Sequence, residues 1–363
     1  MPPAAAVVVL RTLAIGAAGG FAFSLLGVPL AWMLGAMFAT LGVSLAGLEV
    51  RVPARMRPPM SLVLGLTVGA SFTPEMAAGV RSWWPSLLLV VPFVLIVGAA
   101  GALYFERVVG FDRRTAILAA VPGGLAEMVL LGDALGANVG RIATAQAARI
   151  LITVAALPPA FALFGLVGDP SAVIATSMAA FDGAAALQFG ALAVAGLAGW
   201  WLAARIGIPV PALMGPLAVS ALAHALGWAT VRTPFLLVAC AQLVLGCSTG
   251  ARFQTDNPRE LLPVVANAAA YVLFALGVAA LFGLAIARFG SADIASVVLA
   301  FAPAGANEMS LFALVLGLDA GFVATHQVAR LTSVFALAPV FGRRLGRRIA
   351  IGDARRSRGA DGD

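Results

Sequence analysis

Long apolar stretches alternate with short polar ones along nearly the whole chain. The clearest apolar runs cover 84–104, 147–168, 184–204, 263–287 and 328–342. Several of them approach the roughly 20 residues that a membrane-spanning helix needs. In the first half of the chain, the pattern predicts spans near 7–26, 29–48, 58–73, 83–105 and 138–163. The hydropathy pattern therefore predicts an all-α polytopic membrane protein.

Composition supports this prediction. Of the 363 residues, 61% are hydrophobic and 11% are charged, whereas soluble domains carry about 25% charged residues. All 23 basic residues are arginine, and several lie near the C-terminus in RRLGRRIAIGDARRSR. Arginine beside a last span is typical of the cytoplasmic side of a membrane. We therefore expect a bacterial inner (cytoplasmic) membrane protein with a cytoplasmic C-terminus.

The chain also contains an internal duplication. Residues 122–158 and 303–339 share 15 identities in 37 positions at an offset of 181. GVPLAWMLG at 27–35 likewise resembles GIPVPALMG at 207–215. The duplication divides the chain into repeat 1 (1–168), a linker (169–183), repeat 2 (184–349) and an arginine-rich tail (350–363).

Each repeat contains one broken apolar segment, VPGGLAEM at 121–128 and APAGANEM at 302–309. The segment either crosses the membrane as a broken helix or enters and returns as a re-entrant hairpin. With a cytoplasmic C-terminus, the hairpin arrangement places ten loop arginines inside and three outside, and the crossing arrangement gives eight and five. Since arginine favours the inside, we predict two inverted repeats of about five transmembrane helices each, both with a Gly-rich re-entrant or broken helix.

Broken helices of this kind are typical of secondary transporters, because irregular backbone at membrane depth must be buried in protein or must line a cavity. A helix that restarts after a break also offers free N–H groups to an anion. We expect the breaks to contact the solute, the arginines to supply charge, the glutamines to supply hydrogen bonds, and Glu127 or Glu308 to carry a coupling proton. The candidate residues are Pro122, Gly123, Gly124, Glu127, Gln146, Arg149, Pro303, Gly305, Ala306, Asn307, Glu308, His326, Gln327 and Arg330.

Two structural interpretations of these residues stay open. Glu127 with Arg149, and Glu308 with Arg330, balance in charge and could be buried ion pairs that only fix the packing of helices. His326 has no counterpart in repeat 1, where Ala145 stands. It could shuttle a proton or make a single polar contact.

The quoted motifs, LGVPLAWMLGAM with VPGGLAEM and IGIPVPALMGPL with APAGANEM, resemble the AbrB family of bacterial inner-membrane proteins. Members of that family are labelled regulators of gene expression or ammonia monooxygenases. The family is similar, more remotely, to the cation/proton antiporter and anion-transporter group, whose five-span inverted repeats carry Gly-rich hairpins that bind carboxylates. That resemblance implies the same architecture here.

Together these observations predict a transporter of a small, anionic solute, coupled to H⁺ or Na⁺, and not an enzyme. We expect no cofactor, no catalytic or metal site and no direct nucleic-acid partner; the expected partners are the solute, the coupling ion, the bilayer and possible further copies of the chain. The alternative is a membrane sensor that regulates gene expression indirectly. An ammonia monooxygenase fits least, because the chain has only two histidines, far apart, and no ligand spacing.

Overall fold

The structure is a computed structural model, and it describes residues 3–72, 74, 79–166, 182–253, 258–288 and 292–336. Within these ranges all regular structure is helical, so the all-α prediction is confirmed for them. The helices are α1 Pro3–Leu25, α2 Ala31–Leu45, α3 Arg57–Gly69, α4 Trp84–Leu88, α5 Val90–Arg107, α6 Arg113–Ala120, α7 Leu125–Ala134, α8 Val139–Leu163, α9 Gly183–Arg205, α10 Pro211–Ala225, α11 Phe235–Gly250, α12 Pro258–Ala287, α13 Ile294–Phe301 and α14 Ala306–Val315, followed by α15 at 320–336. Most of the predicted linker 169–183 and all of the tail 350–363 lie outside the described residues.

The described part of the chain contains six stretches long and apolar enough to cross a membrane. They are Ala5–Leu25, Val80–Arg107, Val139–Leu163, Gly183–Arg205, Phe235–Phe253 and Pro263–Ala287. The chain is therefore a membrane protein. The spans predicted at 29–48 and 58–73 are shorter than expected, since α2 has 15 residues and α3 has 13. At about 1.5 Å per residue, such helices are only about 20 Å long. They are shorter than the apolar runs because the ends of each run form turns.

The two repeats pack against each other reciprocally through glycines. A Cβ at Gly65 in α3 would meet the carbonyl of Leu213 in α10, and a Cβ at Gly246 in α11 would meet the carbonyl of Met33 in α2. Each repeat thus places its third helix on the second helix of the other repeat. Backbones can approach this closely only where no side chain intervenes. The exchange joins the two repeats into one core.

The broken segment of each repeat is a pair of short helices, α6–α7 in repeat 1 and α13–α14 in repeat 2. The first helix of each pair starts after an aspartate whose carboxylate accepts a backbone N–H, at Asp112 and at Asp293. The residue before each break proline is extended, as the proline ring requires: Val121 has φ −60° and ψ 127°, and Ala302 has φ −54° and ψ 137°. Pro122 and Pro303 therefore end the first helix of each pair.

In both repeats the outer ends of the broken segment lie close together. In repeat 1, the N–H of Asn138 donates to Thr115 Oγ1 at 2.9 Å, and Arg114 Nη1 donates to the carbonyl of Leu135 at 2.7 Å. In repeat 2, the N–H of Asp319 donates to Ser296 Oγ at 3.2 Å. The chain therefore comes back, after each break, to the place where the segment began.

Candidate functional site

Each break restarts as a helix at a glycine that is covered by a glutamate. Gly124 and Gly305 are the N-cap residues of α7 and α14, and both are extended. A Cβ at Gly124 would overlap the Glu127 carboxylate, and one at Gly305 would overlap the Glu308 carboxylate. Each glutamate thus folds back over the start of its own helix, the position that a glutamate takes in a capping box. The negative charge lies at the positive end of the helix dipole, which stabilises it.

Two side chains of α8 donate hydrogen bonds to the backbone of the first break. Gln146 Nε2 donates to the carbonyls of Leu118 at 2.7 Å and Val121 at 3.0 Å. Arg149 donates through Nη1 to the Val121 carbonyl at 3.1 Å and through Nη2 to the Gly123 carbonyl at 3.2 Å. The arginine is 2% exposed. Carbonyls that the broken helix leaves unpaired are thereby satisfied.

The second break has the same arrangement, with its donors on α15. Gln327 Nε2 donates to the carbonyl of Leu299 at 2.8 Å and to that of Ala302 at 3.3 Å. Arg330 donates through Nη1 to the Ala302 carbonyl and through Nη2 to the Ala304 carbonyl, the latter at 2.5 Å. These acceptors correspond one for one to those of repeat 1. The duplication has therefore preserved a complete hydrogen-bonded unit.

The buried ion pairs considered from the sequence are not present among the described residues. Within the described part of the chain, the hydrogen-bond acceptors of Arg149 and Arg330 are all backbone carbonyls. In both repeats the Nε atom of the arginine and the Oε1 atom of the glutamine are buried and have no protein partner. Each break therefore keeps one donor and one acceptor available for a further group.

The first break lies against helices α12 and α15 of the other repeat. A Cβ at Gly123 would meet Val334 of α15 in the other repeat. Tyr271 of α12 donates its hydroxyl to the Ala120 carbonyl at 2.5 Å, and it interacts electrostatically with both Arg149 and Arg330. A tyrosine of repeat 2 thus binds the broken segment of repeat 1 directly.

The two breaks differ in their surroundings. Glu127 is exposed, whereas Glu308 is 6% exposed. Asn307 beside it donates Nδ2 to Ser61 Oγ of α3 at 2.9 Å, and Ala306 is buried. Since position 126 in repeat 1 is alanine, this link exists only at the second break.

His326 makes two polar contacts within the described residues. Its Nδ1 lies 2.8 Å from the carbonyl of Phe322, and its Nε2 lies 2.8 Å from Ser86 Oγ. The Phe322 ring packs on the imidazole with centroids 3.9 Å apart. The histidine thus joins α15 to α4, and it does not touch the break carbonyls that Arg330 binds.

Several residues of this site escaped the sequence reasoning. Ala304 is an acceptor, Ser61 binds Asn307, and Tyr271 donates to the carbonyl of Ala120 in the first broken segment. Departure from the repeat is a signal that could have identified Tyr271, because its counterpart at the same offset is Val90. Among the described residues, no group of three histidine, cysteine, aspartate or glutamate side chains is placed to hold a metal ion.

Comparison with known proteins places the chain in a family. It is 26% identical over 361 residues to "Uncharacterized protein YhjN" of Bacillus subtilis (strain 168), with 92% of each chain covered. It is 21% identical over 315 residues to "Putative regulator AbrB" of Escherichia coli (strain K12), covering 87% of this chain and 90% of that one. The family profile described as "Transition state regulatory protein AbrB" matches residues 32–346. Since this match covers most of the sequence, the chain belongs to the AbrB family.

Proposed function

We propose that the protein is a secondary transporter of a small anionic solute. The observation that carries this proposal is the pair of buried arginines, one at each break, which donate to backbone carbonyls and have no carboxylate partner among the described residues. A buried cation without a counter-ion is costly. An anion bound between the breaks would relieve this cost, and transporter sites of this kind form where two repeats meet.

The proposal includes a topology. Because the ends of each broken segment lie together, α6–α7 and α13–α14 act as re-entrant hairpins, and each repeat crosses the membrane an odd number of times. The repeats are then inverted, and the arginine-rich tail lies in the cytoplasm of a bacterial cell. The protein carries its solute with H⁺ or Na⁺ and catalyses no reaction.

The test is uptake into proteoliposomes that contain the purified full-length protein. A panel of radiolabelled small organic acids and phosphate is offered with an inward gradient of H⁺ or Na⁺. Arg149→Gln and Arg330→Gln each remove charge-assisted hydrogen bonds, which contribute about 1.5–3 kcal/mol apiece, so we expect uptake to fall at least about tenfold.

Arg141→Gln is the matched control, because Arg141 lies on the same helix α8 and is exposed. Arg149→Lys keeps the positive charge but loses the bidentate hydrogen bonding of the guanidinium group. This variant therefore separates the effect of the charge from the effect of the hydrogen-bond geometry. Full uptake by both glutamine variants would show that the breaks do not form the site.

A regulatory membrane protein is the second candidate. The profile description contains the word "regulatory", and the name of the E. coli relative contains the word "regulator". Such a protein would move no solute under any gradient. It would instead change gene expression in cells when the arginines are replaced. Absence of uptake, together with an altered transcript profile in Arg149→Gln cells, would favour this second function.

A further inference from the structure

The chain's two tyrosines both lie where α5 of repeat 1 meets α12 of repeat 2, but only one of them reaches a break. Tyr271 of α12 donates its hydroxyl to the carbonyl of Ala120 at 2.5 Å, and its side chain is buried. Ala120 is the last residue of α6 and directly precedes Val121, whose carbonyl accepts from Gln146 and Arg149. A residue of repeat 2 therefore takes part in the hydrogen bonding of the first break.

Repeat 1 leaves a space into which the tyrosine ring fits. A Cβ at Gly101 of α5 would overlap the Tyr271 ring and would also lie 2.9 Å from Ala120 Cβ. The ring of Phe105, one turn further along α5, lies 5.5 Å from the Tyr271 ring between centroids, at 58°. A side chain at position 101 would push the ring away from the broken segment, so the glycine keeps the hydroxyl within reach of Ala120.

The equivalent place in repeat 2 is filled by apolar side chains. The rings of Phe282 and Phe301 lie 5.7 Å apart between centroids, and both pack on the ring of Phe93. No hydrogen bond reaches the Phe301 carbonyl from any residue that the structure describes. The counterparts at the duplication offset are Phe282 for Gly101, Phe301 for Ala120 and Val90 for Tyr271.

This difference between the repeats separates the role of the ring from the role of the hydroxyl. Repeat 2 shows that apolar side chains can fill the same space, so packing alone would not require a tyrosine. A buried hydroxyl is costly to desolvate unless it forms a hydrogen bond, and the Ala120 carbonyl is the acceptor. The hydroxyl therefore serves the first break, as a link between the repeats that the second break lacks among the described residues.

We propose that Tyr271 is a positioning residue of the solute site, which acts as a latch between the repeats and holds the first break against opening. Its hydroxyl fixes Ala120, and Gln146 binds the carbonyls of Leu118 and Val121 on either side. Loss of the hydroxyl would leave the Ala120 carbonyl buried and unpaired, which favours conformations in which the break opens. This inference rests on the proposed function, since it makes Tyr271 the residue that sets where the first break lies relative to repeat 2.

The test is the rate at which a buried cysteine at each break reacts with N-ethylmaleimide. Met128 is 3% exposed and packs on Gly123 of the first break, and Met309, its equivalent at the second break, is fully buried. Met128→Cys and Met309→Cys are made separately in full-length protein, in detergent, whose Cys240 and Cys247 are replaced by alanine. The rate then reports how often each break opens, because a buried thiol reacts only when local opening exposes it.

Tyr271→Phe keeps the ring and removes only the hydroxyl. We expect it to raise the labelling rate of Met128→Cys about fivefold, which corresponds to the loss of about 1 kcal/mol from one hydrogen bond. Met309→Cys should stay within about twofold of its original rate, because its break does not open with the first. A general loss of stability would raise both rates. No increase at Met128→Cys, or the same increase at both breaks, overturns the proposal.

Tyr104→Phe is the matched control. The Tyr104 hydroxyl donates to Asn267 Oδ1 of α12 at 2.8 Å, so this change removes one hydrogen bond between the same two helices and leaves the broken segment untouched. Met128→Cys should keep its labelling rate in Tyr104→Phe. An increase as large as that caused by Tyr271→Phe would show that any loosening of α5 from α12 opens the break, and it would overturn the role of the Ala120 contact.

Hydrogen exchange followed by mass spectrometry makes the same comparison without introduced cysteines. In Tyr271→Phe, we expect faster exchange of the backbone amides in 121–128 and unchanged exchange in 302–309, because only the first break loses a hydrogen bond. Neither measurement needs a transported solute. Unchanged labelling and exchange overturn the latch but leave the transport proposal standing if uptake is lost in Arg149→Gln. The expected contrast without uptake of any solute supports the latch and counts against transport.

Discussion

At the scale of single residues, the motif P-x-G-x-x-E-M has a steric explanation. The proline ends one helix, and the glycine caps the next. The glutamate three positions later folds back into the space that a Cβ would occupy. The spacing is that of an N-cap residue and the third residue of a helix, which face each other at every helix start. Glycine and glutamate are therefore one structural unit in each repeat.

The close contact between the glycine and the glutamate predicts that replacing the glycine with alanine lowers stability. Gly305→Ala should lower the free energy of unfolding by about 1–3 kcal/mol, the usual cost of overpacking, and Gly124→Ala should cost less, because the carboxylate that a Cβ there displaces ends a flexible side chain. The loss at Gly305 should be larger, because Glu308 is buried and Glu127 is exposed. Thermal unfolding in detergent measures both.

Gly277→Ala on α12 is the control, since a Cβ there meets nothing within 4 Å, and it should be neutral or stabilising. Adding Glu308→Ala to Gly305→Ala should cost less than the sum of the single changes, because the clash has been removed. Additive losses would contradict the steric explanation.

At the scale of helices, the reciprocal glycine contacts carry much of the association between the repeats. Gly65→Ala and Gly246→Ala should each destabilise the protein by about 1–3 kcal/mol, because the new methyl group meets backbone that cannot move aside. The two losses should be similar, since the contacts are equivalent. Thermal unfolding again gives the measurement.

Gly190→Ala on α9 tests whether the effect depends on the crossing, because a Cβ at Gly190 has open space around it. If Gly65→Ala and Gly190→Ala unfold at the same temperature, close helix contact does not explain why both repeats have glycine at the positions of Gly65 and Gly246.

The sequence predicted the breaks well and their partners poorly. Proline and glycine restrict the backbone locally, so VPGG and APAG mark the ends of α6 and α13 without any knowledge of the fold. The partner of a buried arginine depends on what the fold brings near it. Charge balance made Glu127 a reasonable partner for Arg149, but the break carbonyls are closer. Ser61 lies far from the second break in sequence, so only the tertiary packing relates it to Asn307.

Helix length was predicted less well for a similar reason. An apolar run such as 29–48 includes residues of the turns at both of its ends, and hydropathy does not separate them from the helix Ala31–Leu45. Leu30, at the start of that helix, has φ 57°, and Val210 at the equivalent place has φ 50°. Such left-handed residues are unusual outside glycine, so an apolar sequence gives no warning of the turn.

At the scale of the whole molecule, the proposed inversion of the repeats decides which groups meet at the breaks. Inverted hairpins would enter the membrane from opposite sides and meet near its middle, which would bring Arg149 and Arg330 to a similar depth. Parallel repeats related by an axis along the membrane normal would enter from the same side. Equivalent residues of inverted repeats therefore lie on opposite sides of the membrane, whereas equivalent residues of parallel repeats lie on the same side.

Arg107 and Arg288 test this directly, because they are equivalent at the duplication offset, exposed, and placed at the ends of α5 and just beyond α12. In a variant whose exposed Cys240 and buried Cys247 are replaced by alanine, Arg107→Cys and Arg288→Cys are introduced singly. A membrane-impermeant maleimide should label Arg288→Cys in intact cells and Arg107→Cys only after permeabilisation, because arginine-rich loops stay in the cytoplasm. Labelling of both from the same side would require parallel repeats. The two breaks would then approach from one face, and a shared site between Arg149 and Arg330 would need a different path for the solute.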